Sequence, residues 1–317
     1  GRVVRGPGGA VERVVETKDA TGLDADVLAI REVNTGVFAF DPRAVLEALP
    51  RVAPVGAEVF LPDVLELLDP VATFSAPDAT PLLGVNDRVQ LAAVREEAQR
   101  RIQRAHMLAG VTIVQPASTS IDVDVAIGAD SVIEPCTQLR GDTRVGAGAT
   151  VGPHSTVTGS LIGDGAQVVR SHVVECEVRA GASVGPFAYL RPGTLLRERA
   201  KAGTFVEIKN SDVGEGAKVP HLSYVGDADV GEETNLGAGT ITANYDYVRK
   251  NRTTIGARVK GGVHVSYIAP VLVDDDAWTA AGSVIGADVP PGALGVARAR
   301  QRNIEGYAAR RAGPTDA

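Results

Sequence analysis

From Ile121 onward, aliphatic side chains return every six residues: Ile121, Ile127, Ile133, Leu139, Val145, Val151 and Val157 stand at unbroken spacing. With aliphatics at roughly a quarter of all positions, chance yields about one such run in ten thousand. After small phase slips the pattern continues through Ile162, Val168, Val174, Val178, Val184, Leu190, Leu196, Ala202, Ile208, Val213, Val219, Val225, Val230 and Leu236. A six-residue unit can bury one such side chain but cannot enclose a core alone, so the units must stack as coils of a parallel β-helix. Three units make one triangular coil, so eighteen residues return the chain to the same face, one strand spacing of about 4.8 Å higher. Between Val111 and Pro290 there is room for about ten coils. The next position is often glycine, as in Gly128, Gly146, Gly152, Gly163, Gly185, Gly214, Gly226, Gly231 and Gly237, and is expected to permit a tight corner. The stretch from Thr242 to Thr254 breaks the phase before Ile255, Gly261, Tyr267, Val273, Thr279 and Ile285 resume it. It is expected to project as a loop, where function concentrates.

Upstream, residues 1–86 read as mixed α/β material. Val11–Glu16 and Glu32–Phe40 have strand character, and Pro42–Leu49 and Asp63–Leu68 that of short helices. No glycine-rich phosphate loop follows a strand, so this part reads as the back half of a larger α/β domain. Residues 87–110 form a connecting helix, with Asp87 as N-cap, Glu96/Arg100 and Glu97/Arg101 as i,i+4 pairs and Gly110 as the stop. The expected organisation is therefore 1–86, a linker helix at 87–110, the β-helix at 111–295 and a tail at 296–317.

Composition agrees with a coil core built from Val, Ile, Leu and Ala, since 44% of the 317 residues are hydrophobic but only 4% aromatic. A formal charge of -7 excludes a general nucleic-acid field, so phosphate chemistry would need locally placed Arg or Lys. Cys136 and Cys176 lie far apart without metal-type spacing, which fits a reducing cytoplasm. No apolar run reaches the ~18 residues of a membrane span. The only methionine is Met107, so the sequence is expected to be part of a longer chain.

The repeat also places chemistry. Arg191 follows Leu190 and Lys209 follows Ile208, three units later, so both cations fall at equivalent positions on adjacent coils. They are either a phosphate clamp or two unrelated surface charges. His221 is two residues after Val219 and Ala238 two after Leu236, which makes them stacked neighbours. The histidine could pair a general base with a backbone oxyanion donor, or be structural. Nearby Tyr224 and Asn235 could orient a polar substrate or end a strand edge.

Longer motifs sharpen the choice: Val184-Gly185-Pro186-Phe187-Ala188-Tyr189-Leu190-Arg191-Pro192-Gly193, Phe205-Val206-Glu207-Ile208-Lys209-Asn210, His221-Leu222-Ser223-Tyr224-Val225-Gly226-Asp227-Ala228 and Asn235 through Asp246. With Val33-Asn34-Thr35-Gly36 and Gly84-Val85-Asn86 upstream, the sequence resembles the bacterial bifunctional N-acetylglucosamine-1-phosphate uridyltransferase/glucosamine-1-phosphate N-acetyltransferase family over nearly its whole length. The resemblance implies a mainly β protein, a left-handed hexapeptide β-helix preceded by a partial α/β nucleotidyltransferase domain. It implies that His221 takes the proton of the glucosamine amine as it attacks acetyl-CoA, with the Ala238 N–H on the oxyanion. Arg191 and Lys209 would hold the sugar phosphate, and Tyr224, Asn235 and Lys250 the sugar. Asn244, Tyr245, Ala281 and Arg298, with Ala238 and position 263, would meet acetyl-CoA. The expected partners are glucosamine 1-phosphate, acetyl-CoA and two further copies in a homotrimer, with the product feeding UDP-N-acetylglucosamine for cell-wall precursors.

Gly262-Val263-His264-Val265 departs from the family's Gly-Ser-Asp-Thr, so Val263 removes a hydroxyl near acetyl-CoA, a loss of about 1 kcal/mol. Tyr247 replaces a glycine. Gly1, Glu16, Asn34 and Asn86 match a residual uridyltransferase site, with Asn86 on the Mg²⁺ side. Pro54–Asp63 departs from the family segment, and half a site should not turn over. Two other classes remain open. One is a β-helical zinc lyase, for which His154 and His172 are eighteen residues apart but at different offsets. The other is a non-catalytic trimeric scaffold or decayed fragment.

Overall fold

Each coil buries too little to stand alone, and the backbone groups along its three edges need partners above and below. The computed structural model, which describes residues 1–16, 24–54 and 59–311, meets both needs with three parallel sheets. A ten-stranded face runs from Ser120–Ile121 to Val284–Ile285, a nine-stranded face from Ala126–Ile127 to Val271–Val273, and a seven-stranded face from Thr112–Ile113 to Lys218–His221. Single bridges through Asn235 and Lys260 carry the third face on to Trp278–Thr279 and Leu294–Gly295. This is a parallel β-helix of stacked hexapeptide coils. The chain divides into two compact units, Gly1–Glu97 and Ala98–Ala317, and the β-helix lies in the second.

Coil length is not constant. Leu190 pairs with Ile208, Ile208 with Val225 and Val157 with Val173, so the return distance shrinks from eighteen to seventeen and sixteen residues. The last pairing corrects the expected register: Val173 is fully buried, whereas Val174 lies on the outward side and is half-buried. Both neighbouring intervals shorten by one residue, which an aliphatic count alone cannot locate because Val173 and Val174 are chemically identical. Ile127, similarly, is only partly buried against the core.

A second inward position, two residues before each aliphatic one, is small. Ser131, Thr137, Thr143, Ser155, Ser160, Ser171, Thr194, Ser211 and Ser223 are buried there, alternating with Ala149, Ala166, Ala182 and Ala200. The hydroxyls satisfy corner backbone: Ser171 Oγ donates to Val169 O at 2.7 Å and accepts from Ala188 N at 3.2 Å. The expected role of glycine also changes. At Gly146 the φ is ordinary, and a Cβ would lie 2.6 Å from Asp164 N of the next coil, so glycine is needed for close stacking. Of the glycines named above, Gly152 and Gly185 do hold positive φ, at +108 and +99, while elsewhere positive φ is taken by polar or bulky residues, Asn210, Leu222 and Asp227 among them.

The helix Arg88–Leu108 does more than connect. Asp87 caps it, its Oδ1 accepting from Gln90 N at 2.8 Å, and Gly110 ends it at φ +94. Gln99 Nε2 donates to Ile121 O at 2.8 Å while Ile121 N donates to Gln99 Oε1 at 2.9 Å. One side chain thus imitates a strand and closes the open edge of the ten-stranded face, a site that would otherwise template pairing. Buried Gln103 adds bonds to Pro116 O and Thr119 O.

In the first unit, Arg2–Arg5 pairs antiparallel with Val11–Val15, and helix Pro42–Ala48 and the 3₁₀ turn Leu61–Leu67 pack Ala48, Val52 and Val64. A further short helix, Ala25–Ala29, was not expected. The expected strand Glu32–Phe40 is reduced to one bridge, Arg2 to Val33. Asn34 Oδ1 accepts from Gly36 N at 3.1 Å, and Gly36 sits at φ +77, so the chain turns away before a ladder can extend. Within Pro54–Asp63, residues 55–58 lie outside the described residues, as do 17–23 and the last six of the tail. Because Val173 fills the coil interior and Val174 does not, Val173→Ala should lower stability by about 1–3 kcal/mol and Val174→Ala by under about 1. Denaturant midpoints would check this, and equal losses would contradict the register.

Candidate active site

Three successive rungs of the ten-stranded face bring together His221, Tyr224, Lys209, Ala238 and Asn244. The middle rung runs from His221, at the corner entering this face, through Tyr224 to Asp227 at the corner leaving it. The rung below holds Glu207, Lys209 and Asn210, and the rung above Ala238, Ile241 and Asn244. The register is fixed by Glu207 opposite Tyr224 and Tyr224 opposite Ile241.

At the entering corner, Gly239 N donates to His221 O at 3.2 Å and Leu236 N to Lys218 O at 2.9 Å, which puts Ala238 directly over His221. The column continues upward: His264 N donates to Ala238 O at 2.7 Å and Gly282 N to Val263 O at 2.9 Å, so Val263 and Ala281 follow in line. Four residues expected in two different roles thus form one ascending column, roughly 14 Å long at one strand spacing per step. Among the described residues no acceptor meets the Ala238 N–H, and His221 is exposed. Val263 is 47% exposed, so its side chain leaves no polar group stranded. Arg298 lies beside the same face, next to Val284, whose N–H donates to Ala297 O at 3.1 Å.

At the leaving corner the charges gather. Arg191 Nη1 donates to Glu207 Oε1 at 2.8 Å, its guanidinium lies 6.0 Å from the Tyr189 ring, and Lys209 Nζ lies 3.4 Å from Asp227 Oδ2. Lys250, on the returning limb of the projecting loop, lies near Lys209. That neighbour pushes the Lys250 ammonium below the ordinary lysine range, and Arg191 adds to the effect. Three cations face two carboxylates, which leaves the corner with an excess positive charge suited to a phosphate. The Tyr224 ring lies over Gly226, where a Cβ would overlap its hydroxyl, and the hydroxyl accepts from Asn244 Nδ2 at 3.4 Å.

Asn235 falls outside this cluster within one chain. It bridges Lys218 and Lys260 on the seven-stranded face and is exposed. The projecting loop is shorter than expected, because Thr242 is a buried coil residue and Ile241–Ala243 a strand. Its tip exposes Tyr247 and Val248, with Tyr245 Oη donating to Tyr247 O at 2.9 Å. Sequence reasoning missed Glu207 and Asp227, although Asn210, Asp227 and Asn244 recur at seventeen residues.

The residual nucleotidyl positions lie in the first unit. Asn34 N donates to Gly1 O at 2.9 Å and the Gly1 amine is 3.4 Å from Glu16 Oε2, so these three meet. Asn86 is engaged by Gln90, whose Oε1 accepts from its N at 2.7 Å and Nδ2 at 3.1 Å. These bonds use the Asn86 N–H groups and not its Oδ1, and Mg²⁺, which is usually held through carboxylates, would need further oxygen ligands beside it. Among the described residues no group of three His, Cys, Asp or Glu could hold any metal. His172 pairs with Thr156, not with His154, so the zinc arrangement does not form. No helix is long and apolar enough to cross a membrane.

Asp246 stiffens the loop. Its carboxylate accepts from Arg249 N at 2.7 Å and from Asn251 Nδ2 and Val248 N at 2.9 Å, and these bonds, Arg249 first, lower its pKa from 3.8 to about 2. The folded value lies below the unfolded one, so the contribution is complete above about pH 4 and disappears as pH falls through about 2. The tyrosine near-ultraviolet dichroism of the loop should weaken across that window and Asp246→Asn should lack the transition. Superimposable profiles would contradict this.

Comparison with known proteins agrees with the architecture. Residues 124–159 match the model of the bacterial transferase hexapeptide (six repeats). The chain is 50% identical over 313 residues to the bifunctional protein GlmU of Mycobacterium ulcerans, covering 97% of this chain and 63% of that protein. It is also 50% identical over 313 residues to the GlmU protein of Corynebacterium glutamicum, covering 97% and 64%. Among solved structures, the Arabidopsis UDP-N-acetylglucosamine acyltransferase aligns with a TM-score of 0.35 and 16% identity over 64% of this chain and 74% of that one. The chain spans about 63% of the length of the curated relatives it matches. Over 97% of its own length, with half its residues identical, it is thus similar to the GlmU bifunctional proteins.

Proposed function

We propose that the chain transfers the acetyl group of acetyl-CoA to the amine of glucosamine 1-phosphate. The observation that carries this reading is the pairing, on adjacent rungs, of an exposed imidazole at His221 with an unengaged backbone N–H at Ala238. The substrate amine attacks the thioester carbonyl, His221 takes the proton it sheds, and the Ala238 N–H donates to the oxygen that becomes negative. Collapse of the tetrahedral species re-forms the carbonyl and expels the CoA thiolate, which the His221 imidazolium can protonate. Arg191, Lys209 and Lys250 would hold the phosphate and sugar, with Tyr224 beside them. The column formed by Ala238, Val263 and Ala281 would take the thioester arm, and Asn244, Tyr245 and Arg298 the remainder of acetyl-CoA. With an aliphatic side chain at 263 instead of a hydroxyl, acetyl-CoA affinity falls several-fold without being lost.

Assembly as a homotrimer belongs to the same reading. Beside His221, the rings of Phe187 and Phe205 stack 5.3 Å apart, and with Leu222 they form a ladder more than half exposed in one chain. A neighbouring copy laid on that corner would cover it and bring Asn235 of one chain toward the site of another. A cytoplasmic setting suits the two unpaired thiols, of which Cys176 is pushed up to about 11 by burial. No uridyltransferase step is assigned to the first unit, where Asn86 alone among the expected residues is on the Mg²⁺ side.

The test is release of free CoA thiol from acetyl-CoA and glucosamine 1-phosphate, with the mass of the product measured. His221→Ala should lower kcat by about 10² or more with little change in KM. Unchanged acetylation by that variant would remove the mechanism, and no thiol release by the parent chain would leave a non-catalytic scaffold.

A further inference from the structure

The least explained group at the leaving corner is the buried carboxylate of Asp227. The residue is only 6% exposed and holds a φ of +49, a conformation that Asp and Asn tolerate far better than longer acids. Its side chain receives Asn210 Nδ2 at 2.6 Å from the rung below, Asn244 Nδ2 from the rung above, and Lys209 Nζ at 3.4 Å. Its backbone is tied as firmly, N–H to Lys209 O at 3.0 Å and C=O from Thr253 N at 3.1 Å, where the projecting loop rejoins the coil.

Such a group is expensive to bury unless its partners are supplied, and here every partner belongs to the site. Lys209 has an 18% exposed side chain and stands beside Lys250, with Arg191 on the coil below it. Without a counter-charge, like-charge repulsion would turn the Lys209 ammonium outward, away from a bound phosphate. Asn244 is held by the same carboxylate and reaches the Tyr224 hydroxyl.

We propose that Asp227 is a positioning residue for sugar-phosphate binding, seating the Lys209 ammonium in the phosphate clamp while the flanking Asn210 and Asn244 amides hold the carboxylate in place. It touches no reacting atom in this scheme and acts through Lys209. The inference rests on the acetyltransferase reading and adds a residue to it. Burial opposes ionisation of Asp227, but the bonds from Asn210, Asn244 and Lys209 outweigh it and keep the carboxyl below its ordinary range. At neutral pH it is therefore an anion, as the pairing requires.

The experiment is a double-mutant cycle on the full chain with Asp227→Asn and Lys209→Met, read as KM for glucosamine 1-phosphate, KM for acetyl-CoA and kcat. Asparagine keeps the size and tolerates the left-handed backbone, so circular dichroism and Tm should stay close to those of the parent and report any folding failure. Asp227→Asn should raise KM for glucosamine 1-phosphate about tenfold, leave KM for acetyl-CoA within about twofold, and change kcat by less than about threefold. In the Lys209→Met background the same substitution should raise KM for the sugar phosphate by no more than about twofold. A purely structural role would give the same loss in both backgrounds and in both substrates, and that result would overturn the proposal. So would an unchanged KM in a parent chain that turns over normally. A parent chain that releases no thiol would overturn the acetyltransferase reading and this inference with it, which separates the two failures. Should Asp227→Asn lower Tm sharply, Asp227→Ser, shorter and neutral, runs the same cycle with the same deciding outcomes.

Discussion

One constraint organises the molecule: each backbone rung must hydrogen-bond in register with the rung above and below. Because the ladder is parallel, side chains at equivalent positions stack in columns, and a column is a chemical surface with a pitch of about 4.8 Å. The aliphatic column fills the interior, the Ser/Thr/Ala column two residues earlier closes the corners, and the outward columns are left for function. His221, Ala238, Val263 and Ala281 are such a column, and Asn210, Asp227 and Asn244 are another. Neither pocket walls nor a mobile lid is needed to bring these residues together, since the ladder alone does so.

The same constraint explains what was legible in the sequence. Six-residue spacing at Ile121 to Val157 gives the coil, and equal offsets from Val219 and Leu236 give the His221–Ala238 stack. What failed was anything decided by a one-residue difference or by contact between distant segments. Val173 and Val174 are indistinguishable as letters, yet only one fits the interior once coils shorten to sixteen residues. Asp227 carries no signal in the sequence beyond its place in a motif, because burial of a corner residue depends on the rungs above and below, which spacing does not reveal. The strand expected at Glu32–Phe40 had the right propensity, but the turn at Asn34–Gly36 withdrew it from its only partner.

Glycine carries the clearest lesson in local chemistry. The frequent glycine after the aliphatic position is expected to release the backbone into tight corners, and it does so at Gly152 and Gly185, whereas other corners are turned by Asn, Asp, Leu and Phe residues at positive φ. Glycine is required where two coils approach so closely that a Cβ from one would strike backbone of the next, as at Gly146. At Gly226 the space it leaves is taken by the Tyr224 ring, so a packing requirement also shapes the surface beside the cation cluster.

The two corners of the ten-stranded face differ in kind, and the difference matches the two halves of the proposed substrate pair. The entering corner is lined by Ala238, Val263 and Ala281, small or aliphatic residues with His221 at the foot and an open backbone N–H above it. A thioester arm needs such a narrow, weakly polar track, since strong fixed charge would compete for the carbonyl that must be polarised. The leaving corner concentrates Arg191, Lys209 and Lys250 against Glu207 and Asp227, which suits a dianion held off the reacting centre. Between them stands Tyr224, on the same rung as both His221 and Asp227. One rung therefore fixes the distance from the proposed base to the proposed phosphate clamp, and the rungs above and below carry Ala238 and Lys209. The geometry of the proposed site is thus set by the backbone ladder, through the seventeen-residue coil length that relates residues 208 to 242.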